Sequence, residues 1–230
     1  MTNVALLLKP SKLTAFRRYV LRTPGIKYFY TFNEPTGNLV DIGPNRLTAT
    51  KNGTVTQGQP GKLGNSISFN NDGNNSVTLT GVSVTLPFSL IVVVKPITSF
   101  DNNDRVIDKA DGGPANGFYI LMTTTGNLWK FEVWNNTSQS MNNSIGGIDI
   151  NSWQMLGASI QSSSGRTFKN GVFIEEDTSV VMTAQTASAK VGARATGTIN
   201  AFRGQIQHLA IFDRAISDAR HAKFARLCGF

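Results

Sequence analysis

One cysteine in 230 residues, Cys228, excludes an intrachain disulfide, and two histidines, His208 and His221, leave no His/Cys set spaced for a metal. Charged residues are scarce at 16%. The surface polarity must therefore come from Asn, Ser, Thr, Gln and Gly, the residues of a turn-rich chain. No apolar run approaches the roughly 20 residues that cross a bilayer. Val4 to Leu8 is a five-residue run closed by Lys9-Pro10, short of a signal-peptide core. The sequence thus predicts no membrane span and no export by the usual route. Also missing are a Gly-x-Ser-x-Gly elbow and a phosphate loop. Acids are absent from residues 1–27, which carry six of the eight net positive charges.

What is present is strand and turn. With 40% apolar residues the chain can bury a core as one all-β domain. Expected strands cover 27–33, 46–51, 65–70, 76–80, 88–95, 104–109, 117–123, 127–134, 153–161, 166–169, 172–176 and 205–213. Asn170-Gly171 supplies the two positive-φ residues of a type I′ hairpin turn, and Gly126-Asn127 turns another. Ile91 to Val94 is apolar at every position, the pattern of a central strand covered on both faces. Residues 178–189 read as a loop or irregular edge.

Ser11 is placed to cap a helix over Lys12 to Leu21, ended by Thr23-Pro24-Gly25, with Leu13, Phe16, Val20 and Leu21 on one side. Ser217 is placed to cap a second over 217–227, held by Phe224 and Leu227. The domain organisation expected is a basic arm, 1–26, followed by a sandwich, 27–230, that includes the terminal helix. Lys9, Lys12, Arg17, Arg18, Arg22 and Lys27 are the candidate docking residues of that arm, for an acidic protein surface in preference to nucleic acid. The alternative is a basic helix packed on its own sandwich with solvated charges.

Five segments in order carry a family resemblance. Trp153 to Ile160 with the Asn170-Gly171 hairpin, then Gly204-Gln205-Ile206-Gln207-His208 through Ile216-Ser217, resemble the closing segment of the concanavalin A-like, laminin G-type jelly rolls. Tyr28 to Gly37, Gly61 to Asn70 and Phe88 to Pro96 are similar to earlier motifs of the same family. The resemblance covers roughly 27 to 227 and implies a jelly-roll β-sandwich, with a basic N-terminal arm and a short C-terminal helix here.

The family includes retaining glucanases, which place acids at alternate positions on one strand. Glu175-Glu176-Asp177 is the near match, but position 179 is Ser, and Glu132 stands without an acid at 130 or 134. No catalytic residue is expected. Calcium is the family's common ion. Glu34 and Asp41 match its acids near the first strand, but Gln207 and His208 replace an Asp-Glu pair, so no cofactor or metal site is assigned. The loops Asn70 to Asn74 and Asp101 to Asp104 read first as turn chemistry and second as a structural calcium site. A sugar site would use Tyr119, Trp129, Trp134 and Asn135. Because Trp129 and Trp134 point to opposite faces, one of them belongs to the core. Trp153 and Cys228 are read as buried, and His208 as a half-buried strand residue.

Together these features lead to a non-catalytic structural protein of a bacteriophage virion, assembled in the host cytoplasm. It would be a capsid decoration, cement or tail accessory subunit that binds phage capsid or tail proteins through its arm, with a homo-oligomer as one arrangement. The alternative is a lectin-like module for host-surface glycans. A glycoside hydrolase comes third.

Overall fold

The structure is a computed structural model that describes residues 11–70, 72–97, 100–110, 117–136, 138–183, 187–195 and 200–230. Helix α1 (Lys12–Arg22) precedes β1 (Ile26–Tyr30), β2 (Leu39–Val40), β3 (Thr48–Asn52), β4 (Thr56–Pro60), β5 (Asn65–Asn70) and β6 (Ser76–Leu79). Then follow β7 (Phe88–Pro96), β8 (Arg105–Ala110), β9 (Gly117–Thr123), β10 (Leu128–Asn135) and β11 (Ser138–Gly147). The chain closes with β12 (Gln154–Ile160), β13 (Gly165–Lys169), β14 (Val172–Asp177), β15 (Ala189–Val191), β16 (Arg203–Phe212) and α2 (Asp218–Cys228).

Two antiparallel sheets form a sandwich. The first runs β14-β13-β12-β7-β16-β5-β4, with β1 also paired to β16; the second runs β11-β10-β9-β8-β15-β6-β3-β2. Alternation along each strand sends one set of side chains between the sheets. Phe88, Leu90, Val92, Phe118, Ile120, Trp129, Phe131, Leu156 and Ile206 meet there. The other face of the first sheet is covered by both helices, where Ile91, Val93, Met155, Ala210 and Phe212 pack on Phe16, Val20, Phe224 and Cys228. This double covering explains the unbroken apolar run of β7, which lies between β12 and β16.

Both helices follow from their sequence. The Ser11 hydroxyl accepts a bond from the Thr14 amide, and Phe16 and Val20, one turn apart, are the buried stripe of α1. Residues 11–26 are thus part of the packed body and do not project from it as an arm; the Phe16 ring lies 4.9 Å from His208 and 6.4 Å from Phe224. Ser217 precedes α2 but its side chain makes no cap bond, contrary to expectation, while Gly229 ends the helix at φ 86°. At Asn170-Gly171, φ values of 50° and 81° give the expected turn.

Four strands escaped the sequence reading: β2, β4, β11 and β15. β2 and β15 are two and three residues long, β4 holds Gly58 and Pro60, and β11 is mostly Asn, Ser, Gln and Gly. β15 begins at Ala189, the last residue of the stretch expected as loop or irregular edge.

Candidate functional site

The outer face of the second sheet gathers the polar side chains that the fold leaves unexplained. On β8, β9 and β10, Asp108, Tyr119 and Glu132 stand in one row, since Tyr119 is the register partner of both acids. The next row holds Ala110, Gly117 and Trp134, with Gln139 of β11 beyond. These positions alternate with Phe118, Ile120, Phe131 and Val133, which point into the core.

Contacts tie the face into one assembly. The Arg105 guanidinium carbon lies over Tyr119 at 3.4 Å from the ring centre, and Arg105 Nε is 3.8 Å from Asp108 Oδ2. Arg105 Nε and Nη1 are buried without a hydrogen-bond partner. The Glu132 carboxylate lies beside the Tyr119 hydroxyl. Glu132 accepts from Trp134 Nε1 at 3.1 Å. Burial pushes the Tyr119 hydroxyl well above its ordinary range, with Glu132 adding to it and Arg105 opposing it. Burial likewise raises Asp108, against the pull of Arg105, and raises Asp104 to about 6.

Toward β11 the face opens. Trp134 packs against Ala110, Tyr119 and Leu121 on one side and is partly exposed on the other. Beside it Lys130 Nζ donates to Asn142 Oδ1 at 2.8 Å, and Asn142 Nδ2 donates to Gln139 Oε1 at 3.4 Å. An indole edge flanked by amides and an ammonium offers a flat apolar face plus directional donors and acceptors. That is the chemistry that holds a sugar ring or another flat polar ligand.

The expected sugar residues therefore divide. Tyr119 and Trp134 come together on this face, and Asn135 follows Trp134, its Oδ1 accepting from Thr183 Oγ1 at 2.6 Å. Trp129 is excluded: it is 0% exposed, between the sheets, with Nε1 bonded to Gln154 Oε1 at 2.9 Å. Trp153 is only partly buried, against the helix-covered cluster. Arg105, Lys130, Gln139 and Asn142 were missed. Recognising β11 as a strand would have placed Gln139 and Asn142 opposite Trp134 and Glu132.

The acids are not arranged for glycoside cleavage. Asp108 and Glu132 lie two strands apart, roughly 9.5 Å by strand spacing, at the outer limit of the inverting range. Tyr119 fills the row between them and both are held by neighbours. Glu175 accepts from the Ser144 amide, Glu176 pairs with Arg166, and Asp177 accepts from the Ser179 amide and hydroxyl.

A calcium ion does not fit where the family places it. Gln207 Nε2 donates to the carbonyls of Leu63 and Asn65, and its Oε1 accepts from the Leu63 amide at 3.1 Å. Loop oxygens that an ion would require already accept N–H donors. Asp41 is buried, with Oδ1 accepting from the amides of Phe29 and Gly43 at 2.6 and 2.7 Å. In the first candidate loop, Asp72 Oδ1 accepts from the Asn74 amide, which is turn chemistry. His208 is fully buried and not half-buried, at φ 55°, where β16 exchanges β5 for β1 as a partner. Among the described residues no three His, Cys, Asp or Glu side chains cluster for a metal.

Of the expected docking residues, Lys12, Arg18 and Arg22 are exposed on α1. Arg17 is half-buried near Glu34, and burial lowers its pKa. Lys27 Nζ donates to the Ser83 carbonyl at 3.0 Å. Lys9 lies outside the described residues. A separate cavity of about 380 Å³ at the start of α2 is lined by Ser159, Ser164, Arg166 and Asp218. Arg166 there is committed to Asp218 at 2.7 Å.

A family model described as the concanavalin A-like lectin/glucanases superfamily matches residues 71–220. No curated protein sequence matches. Among solved structures, domain 4 of the extracellular GH43 arabinanase AbnA from Geobacillus stearothermophilus, in complex with arabinotriose, is 20% identical. Its TM-score is 0.70, over 87% of this chain and 98% of that one. The binding domain of Paraclostridial Mosquitocidal Protein 1 is 12% identical with TM-score 0.72, over 87% of this chain and 52% of that one. Botulinum neurotoxin type C, whose cell entry depends on interaction with two ganglioside molecules, is 14% identical with TM-score 0.71, over 90% and 52%. The chain spans about half the length of those two toxin chains. At these identities the likeness is one of fold.

Proposed function

The chain belongs to the concanavalin A-like lectin/glucanase superfamily, and from that premise we propose that it is a non-catalytic carbohydrate-binding domain. The observation that carries this is Trp134, half-open on the outer face of the second sheet and held by Glu132 beside Lys130, Gln139 and Asn142. An indole fixed at one edge stacks on the apolar face of a sugar ring, while neighbouring amides read its hydroxyls. That the arabinotriose-bound domain and a ganglioside-dependent toxin share this fold fits the same reading.

Turnover is not part of the proposal. Both acids of the face are buried and engaged, and Tyr119 stands between them. A glycan array on the full chain, with a reducing-end assay on every hit, tests both halves. Binding without release of reducing ends is expected. No bound glycan overturns the first half, and release of sugar overturns the second.

A second reading, a structural subunit of a bacteriophage virion located in the particle, draws physical support from one feature. That feature is the cationic outer side of α1, which would face neighbouring particle proteins. In that case the glycan face would point away from the particle.

A further inference from the structure

The sandwich carries its charge on one side. Helix α1 contributes Lys12, Arg17, Arg18 and Arg22, and α2 contributes Arg220, Lys223 and Arg226, against a single acid, Asp218. Six of the eight net positive charges of the chain thus lie in two helices. Asp218 is already taken by Arg166 at 2.7 Å. Among the described residues, none of the seven helix cations has a carboxylate within ion-pair distance. A folded protein gains nothing from crowding unpaired cations on one rigid layer, because their mutual repulsion lowers stability.

The layer also has relief. A shallow groove of about 540 Å³ runs between the helices, lined by Tyr19, Ala219, Ala222, Lys223 and Arg226. Beside it, about 340 Å³ is bounded by Pro24, Arg214, Ser217 and Arg220. The floor is small and apolar and the rim is cationic. An apolar centre with an arginine-rich rim is the anatomy of a protein interface.

We propose that the α1/α2 layer docks on an acidic surface of a partner protein that inserts a side chain into the groove over Ala219 and Ala222. Charge selects this occupant. A second copy of this chain would bring +8 against +8. Single-stranded nucleic acid is disfavoured because the one aromatic lining the groove, Tyr19, is not free to stack, and a duplex is one arm of the test. The Tyr19 ring packs edge-on against Phe224 at 5.1 Å, with Lys223 above it at 6.0 Å. A membrane surface calls for several exposed large apolar residues on the layer itself; the two helices carry one, Leu21, while the exposed Val172, Phe173 and Ile174 belong to the edge strand β14. The layer covers the first sheet and the proposed glycan face lies on the second, so both can be engaged at once. The docking proposal does not rest on glycan binding.

The test uses the full chain and its Arg18→Glu/Arg226→Glu variant, both positions being exposed. The probes are a synthetic acidic amphipathic peptide with Glu and Leu faces, a DNA duplex, and vesicles containing phosphatidylserine. The peptide should bind the parent chain most tightly and lose about tenfold or more in affinity in the variant. Matching circular dichroism melts of parent and variant establish that the fold is kept. Equal peptide affinity for the two proteins, or tighter binding to DNA or vesicles than to the peptide, overturns the proposal.

Discussion

The guanidinium carbon of Arg105 lies 3.4 Å from the centre of the Tyr119 ring, and the Tyr119 hydroxyl faces Glu132, whose carboxylate holds the Trp134 indole. Four residues on three adjacent strands thus form one relay that fixes an aromatic edge before any ligand arrives. Preorganisation of this kind raises affinity by lowering the ordering cost of binding.

Glu132→Ala cuts the relay at its centre. It leaves Trp134 Nε1 without its acceptor, a stability cost of about 1–3 kcal/mol. Affinity for the bound glycan should fall about tenfold while the far-ultraviolet spectrum is retained. Isothermal titration of both proteins reads it, and unchanged affinity would separate the relay from binding.

The two tryptophans of β10 should differ in kind. Trp129→Ala opens a cavity between the sheets and removes one of the two donors to Gln154 Oε1, so it should cost about 3–5 kcal/mol in urea unfolding. The same change at the partly exposed Trp134 should cost less than half as much. Equal costs would contradict the assignment of opposite faces.

Gln207 is the cross-link between β16 and the turn before β5. Gln207→Glu sets carboxylate oxygens against the Leu63 and Asn65 carbonyls, in place of the N–H donors that bond them now. A loss of about 2–4 kcal/mol is expected, since a buried polar group loses its partners. If this variant is as stable as the parent, the amide is not what closes the turn.

Stability should fall in acid. His208 and His221 are buried, and desolvation, with Arg17 and Arg166 respectively adding to it, holds both at about 3, down from 6.5. Their folded values lie below the unfolded ones. The unfolded chain therefore takes up their protons first, and stability, complete above about pH 6.5, is lost as the pH drops toward 3. The slope is on the order of 1 kcal/mol per pH unit for each histidine. Asp104, raised to about 6, works in the opposite sense below that pH and flattens the sum. Comparing the parent with His221→Gln, whose amide can still meet Ser159, isolates one histidine. Parallel stability curves for the two would contradict the assignment.

Most of the fold was legible because its strands announce themselves. The Asn170-Gly171 turn, the doubly covered run at 91–94 and the Ser11 cap all depend on local chemistry that a sequence displays directly. The site was half legible. Tyr119 and Trp134 stand out as aromatics, but their neighbours Gln139 and Asn142 sit on a strand without a hydrophobic alternation to betray it. Arg105 looks like any arginine until β8 and β9 pair and bring it over Tyr119. Trp129 and Trp134 differ only in parity along one strand. Parity separates their faces without saying which face is the core. The sequence leaves open whether α1 packs on the sandwich, because His208 and Phe224, which the Phe16 ring meets, are remote from it along the chain.

The most direct test of the account is titration of the strongest array-identified glycan into the parent chain and into Trp134→Ala. The account predicts saturable binding to the parent and at least roughly a tenfold weakening in the variant, with both chains folded. Binding that survives loss of the indole undiminished would place the site elsewhere on the sandwich and contradict the central claim.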